Sequence, residues 1–220
     1  MAVTGSILVA FLLMHMFGNT KLLLPEIGAE EFDEYSHYLR RFLYPIFPPM
    51  LFLWLFRIAL AFSAVVHIIA AVQLTFRDYD ATGLGRYFRQ RYLAGSFAAR
   101  TMIWGGIIIL LGVVVHLMQF TAQIVRVNYP GAETSVEPHM RVVLGFQEWW
   151  LVALYAVWMA AVCLHVWHGF YSAFCTLGAR VGAFSEKVIK ACAWVVAILL
   201  YLGFMITPIA IYFGWIFPNV

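Results

Sequence analysis

The chain holds five long apolar runs, roughly 2–24, 50–76, 101–125, 147–177 and 191–216, whose only charged residues are Lys21, Arg57 and Glu148. Crossing the hydrocarbon core of a bilayer takes about 20 consecutive apolar residues, and every run is long enough. In lipid the backbone must satisfy its own N–H and C=O groups, so each run is predicted to be a helix. The expected fold class is therefore all-α, an integral membrane bundle of five transmembrane helices. Of 220 residues, 64% are hydrophobic and 11% charged, where a soluble domain carries roughly a quarter charged. The connectors are short and polar, with no internal repeat and no low-complexity segment, so residues 1–220 are expected to form a single transmembrane domain.

The first run has no basic segment before it and no small-residue cleavage site after it, which reads as a retained span rather than a signal peptide. The net charge of +3 is too small and too dispersed to suggest nucleic acid. Cys163, Cys175 and Cys192 form no C-x-x-C pair, so neither a thiolate zinc site nor covalent haem attachment is expected. They read as small packing residues.

Lys and Arg in the connectors set the expected orientation. The second connector carries Arg77, Arg86, Arg89, Arg91 and Arg100, and the fourth Arg180, Lys187 and Lys190. The first carries Lys21, Arg40 and Arg41 among five acids, and the third Arg126 and Arg141. Eight basic residues against five place connectors two and four, and the N-terminus, in the cytoplasm, with the C-terminus outside. The stretch "EEFDEYSHYLRRFLYPIF" mixes charge and aromatics in the manner of a short helix at the outer membrane face. His37 and His139 fall in outer connectors and are expected to be solvated.

The remaining histidines lie inside the spans, where ionisable residues are functional candidates by default. His15 and His116 each lie about 14 Å along their helices from the outer end. His67 lies a similar distance from the inner end of its span, and His165 and His168 roughly ten to thirteen residues from theirs. They sort into an outer pair, His15 with His116, and an inner pair, His67 with one of His165 and His168. Two imidazoles facing each other across a bundle suit axial ligation of a low-spin haem iron, and 8 Trp and 19 Phe are available to line a macrocycle. Zinc would want three or four ligands at one level. A proton relay would want intramembrane carboxylates, and only Glu148, at the mouth of span four, comes near. A histidine that merely hydrogen-bonds between helices is the plainer reading of any one of these residues alone.

Four segments, "HMFGNTKLL", "VHIIAAVQLTFR", "GSFAARTMIWGG" with "VHLMQFT", and "HVWHGFYSAFCTLG", occur in order across spans one to four. The chain thereby resembles the dihaem cytochrome b membrane-anchor subunit of succinate dehydrogenase and fumarate reductase, respiratory complex II. The resemblance covers essentially the whole chain, including connector lengths. It implies two b haems, the distal one held by His15 and His116 and the proximal one by His67 and His165. The family's span-four pattern, His-x-x-x-Gly followed by an apolar and an aromatic residue, is met by His165 with Gly169, Phe170 and Tyr171. His168, about 60° around the helix, then serves a haem propionate or a neighbouring helix. Some dihaem fumarate reductases carry a glutamate two residues before the span-four ligand; here Cys163 stands there, and no transmembrane proton path is expected. Nor does the chain show the cytoplasmic segment that precedes span one in many relatives.

Beside this resemblance, Arg57 reads as a propionate or quinone contact or as a snorkelling charge. Ser96, Arg100 and Thr101 read as proximal propionate contacts or as a cytoplasmic anchor. Asn19 and Gln119 are candidates for the quinone pocket or for the surroundings of the outer haem. Gly105, Gly106 and Gly112 would let a porphyrin or a helix approach closely. The resemblance implies a respiratory electron carrier, without catalytic acid–base residues of its own, in a prokaryotic plasma membrane. Its partners would be the flavoprotein and iron–sulfur subunits, lipid and a quinone, with menaquinone suggested by the two haems; a higher oligomer of the complex is compatible. The rivals are another quinone-linked cytochrome b, and a haem-free anchor or transporter whose histidines only bridge helices.

Overall fold

The computed structural model describes residues 1–82, 97–128 and 136–216. Seven α-helices make it up: α1 (Ala2–Thr20), α2 (Gly28–Arg41), α3 (Leu51–Thr82), α4 (Phe97–His116), α5 (Pro138–Phe146), α6 (Trp149–Thr176) and α7 (Ala183–Tyr212). There is no strand among the described residues. Five of the helices, all but the short α2 and α5, are long and apolar enough to cross a membrane. This is a multi-pass membrane protein.

The best-packed part of the bundle is the α6–α7 pair. Leu151, Tyr155, Met159, Val162, Cys163 and Val166 form the buried stripe of α6. Ile189, Ala193, Ala197 and Leu200 recur at helical spacing on α7. Between membrane helices no hydrophobic force operates, and close van der Waals approach must replace it. Ala193 and Ala197 permit that approach. α1 packs on α3, α6 and α7, and α4 packs on α6. Two glycines are required by contact. At Gly112 a Cβ would overlap the indole of Trp158, and at Gly203 one would overlap the Met16 side chain. Large apolar side chains such as Phe62 and Trp104 remain exposed, as expected of surfaces facing lipid.

α7 begins at Ala183 rather than near 191. The Ser185 hydroxyl accepts from the Val181 and Gly182 N–H groups, both at 3.0 Å. Glu186 bridges to Lys190 at 2.6 Å and to Arg180 at 2.8 Å. A polar first turn satisfied by itself extends the helix beyond its apolar run. Of the basic residues expected in connector two, Arg86, Arg89 and Arg91 lie outside the described residues.

α2 and α5 close one end of the bundle, called here the capped end. α2 packs on α3 and α5, and α5 on α7. The Asp33 carboxylate accepts from the His139 backbone N–H at 3.0 Å and meets His139 Nδ1 at 2.5 Å. The expectation that His139 is solvated is thus corrected: its side chain is 13% exposed and clasped to α2. The reason is tertiary, a contact between connectors 106 residues apart. His37 stays largely exposed, with Glu137 3.7 Å away.

Candidate paired-histidine sites

Depth is set by helix geometry. His67 in α3 and His165 in α6 each lie sixteen residues from the capped-end start of their helix, about 24 Å at 1.5 Å per residue. His15 lies five residues before the capped-end terminus of α1, and His116 is the last residue of α4. The imidazoles of His15 and His116 have ring centroids 5.8 Å apart at 84°. Those of His67 and His165 are 6.3 Å apart at 58°. The structure therefore brings His67 to His165 rather than to His168. Because His67 touches Thr4 of α1, the two levels are separated by the eleven residues from Thr4 to His15, about 16 Å.

Aromatic rings hold the capped-end pair. Phe11 stacks on His15 at 5.3 Å and Phe204 lies 5.7 Å away. Around His116 stand Phe120 at 5.2 Å, Trp158 at 5.8 Å and Tyr155 at 6.2 Å. After His116 the helix widens into a π-helical turn, Leu117–Thr121, in which the Ala122 N–H donates to the Leu117 carbonyl at 2.8 Å. Such turns re-aim side chains and recur at functional sites. Here Gln119 is 1% exposed, and its Oε1 accepts the Tyr155 hydroxyl at 3.0 Å. The same Tyr155 oxygen lies 3.3 Å from His116 Nδ1.

The far-end pair is walled by small residues. A Cβ on Gly5 would lie 3.3 Å from His67 Cε1, and one on Gly105 or Gly106 would just reach the His165 ring at 3.9 and 3.8 Å. His67 Nδ1 is 3.2 Å from the Thr4 hydroxyl, which donates to the Met1 carbonyl at 3.0 Å. His165 Nδ1 is buried, and the His165 ring faces the Met102 backbone of α4.

No protein-family model, curated protein or solved structure matches this chain. The histidine pairs and their surroundings therefore carry the functional assignment. The helices bearing each pair, α1 with α4 and α3 with α6, are not among the closely packed helix pairs, and the imidazoles make the contact between them. Among the described residues no three His, Cys, Asp or Glu side chains converge as a metal site; the histidines meet in twos. That donor set fits a group that brings its own equatorial ligands, as haem does.

The other candidates are placed as follows. The Arg57 guanidinium sits 5.3 Å from the Trp54 ring on an exposed face of α3. Asn19 Nδ2 donates to the His15 carbonyl at 3.1 Å, and the Asn19 backbone carbonyl accepts from the Thr207 hydroxyl at 3.3 Å. Its side chain is thus turned onto its own helix. His168 is half-buried, one turn beyond His165. Ser96 lies outside the described residues, and of Arg100 and Thr101 only the backbone position in α4 is described. Gly112 serves the Trp158 indole, whose Nε1 donates to the Ile109 carbonyl at 3.4 Å.

Tyr155 and Thr4 did not emerge from sequence reasoning. The available signal for Tyr155 was a phenol inside an apolar span, where its O–H must find a partner. For Thr4 there was none, since its role depends on how α1 and α3 cross.

Proposed function

We propose that this protein is the haem-carrying membrane anchor of a succinate:quinone oxidoreductase, passing electrons from an iron–sulfur subunit to a membrane quinone. The observation that carries the reading is the pair of imidazole couples, 5.8 and 6.3 Å between ring centroids, at two depths in a five-span bundle. The resemblance of spans one to four to dihaem complex II anchors supports it. His15 and His116 would hold the distal haem, and His67 and His165 the proximal one. Bound haem supplies reversible one-electron transfer at each level. The chain's own contribution is to fix the imidazoles, surrounding the outer pair with Phe11, Phe120, Trp158 and Phe204 and leaving small glycines beside the inner one.

In this reading connectors two and four face the cytoplasm and dock the iron–sulfur subunit, which receives electrons from a flavoprotein that oxidises succinate. The C-terminus and the capped end lie outside a prokaryotic plasma membrane. The acceptor is a quinone, with menaquinone favoured by the two haems. A second reading is a haem-free anchor, favoured by the interhelical contacts His67–Thr4 and His116–Tyr155, in which the histidines only join helices. Haem content and a dithionite-reduced minus oxidised spectrum of the detergent-purified complex separate the two. Two b-type haems per chain are expected; their absence refutes the electron-carrier reading and leaves the five-helix bundle standing.

A further inference from the structure

We infer that Tyr155 and Gln119 are positioning residues for the outer haem, a hydroxyl relay that fixes which nitrogen of His116 is free to ligate. The inference rests on the haem reading above and deepens it. A phenol has a single hydrogen, and Tyr155 donates it to Gln119 Oε1 at 3.0 Å. Toward His116 Nδ1, 3.3 Å away, the phenol oxygen can then only accept. Nδ1 must carry the proton, so Nε2 keeps its lone pair. This is the tautomer needed for iron ligation through Nε2, fixed by the hydrogen bond that the other nitrogen makes.

The surroundings enforce the direction of the relay. Gln119 is buried in the π-helical turn, and Gly145 of α5 leaves room for its amide: a Cβ there would press to 3.3 Å from Gln119 Nε2. The Tyr155 ring is held by Phe146 at 5.0 Å and Trp158 at 5.4 Å, so the hydroxyl cannot swing away. The far-end pair repeats the logic in simpler form: the Thr4 hydroxyl gives its hydrogen to the Met1 carbonyl at 3.0 Å and faces His67 Nδ1 at 3.2 Å. At each level one imidazole of the couple is held by a hydroxyl whose own hydrogen is already engaged.

Donation from Nδ1 makes Nε2 a stronger electron donor and favours ferric iron. Tyr155→Phe removes only the oxygen and keeps the ring contacts. A redox titration of the purified complex is expected to show the midpoint potential of one haem moving upward while the other stays. Gln119→Leu frees the Tyr155 hydrogen to turn toward Nδ1 and drives the proton to Nε2. The outer haem is then expected to bind about 10–100-fold more weakly, the range seen when such supporting partners of metal ligands are lost, and the inner haem to remain. Two haems with unmoved potentials in Tyr155→Phe and full occupancy in Gln119→Leu overturn the relay and leave the haem reading intact. If the wild-type protein carries no haem, that reading falls, and the relay keeps its own readout. Nitrogen-15 shifts of labelled His116 should report an Nδ1–H tautomer that Gln119→Leu shifts; an Nε2–H tautomer in the wild type, or no shift in the variant, overturns it.

Discussion

His165 and His168 show how much a single residue's placement depends on its partners. They lie one turn apart in the same apolar helix, and depth alone does not separate them; the ring of His67 does, lying 6.3 Å from His165. His165→Ala is accordingly expected to leave one haem per chain, and His168→Ala two, as counted by pyridine haemochrome against protein. Equal loss in both variants would refute the assignment. Gly112 makes a second claim at this scale. A methyl there must displace the Trp158 indole, which overlies α4 beside His116. Overpacking of this kind costs about 1–3 kcal/mol, so Gly112→Ala should lower the detergent-state melting temperature and broaden the outer haem's spectrum. Gly182, at the start of α7 with nothing within 4 Å, should accept alanine with neither effect.

At the scale of elements, the clasp between α2 and α5 is the feature most open to test. Asp33 accepts two hydrogen bonds from His139 across the capped end, and both side chains are largely buried. Losing a carboxylate so engaged costs about 1–3 kcal/mol. Asp33→Ala should therefore raise amide hydrogen exchange in Gly28–Arg41 and Pro138–Phe146 while α6 and α7 stay protected; a uniform rise across the bundle would show that the clasp supports the whole fold instead. The clasp also marks what the sequence could and could not disclose. The five spans were legible because lipid demands about 20 apolar residues in a row, a signal carried within each segment. The two histidine levels were legible because helix rise converts residue number into depth. The clasp, the start of α7 and the Tyr155 relay were hidden for a shared reason. Each depends on which side chains meet across helices or within a polar turn, and neither hydropathy nor periodicity encodes that.

At the scale of the molecule, the proposed topology of five crossings puts Met1 and Ile216 on opposite sides of the membrane. Paired reporter fusions, one active only in the cytoplasm and one only outside it, should give opposite answers at Met1 and after Ile216; the proposed orientation makes the C-terminal fusion the external one. Across the same bundle, α6 supplies His165 to one level and Tyr155 with Trp158 to the other, and α1 supplies Thr4 and Gly5 to one and His15 to the other. Each helix thus acts as a rod shared by both stations. A slide of α6 by a single residue, about 1.5 Å, would misregister the His67–His165 couple and the Tyr155–His116 contact together. Displacement of α1 or α6 is consequently closed as a way of adjusting one station alone, whereas side-chain exchanges such as those at Tyr155, Gln119 or Thr4 can set the two apart.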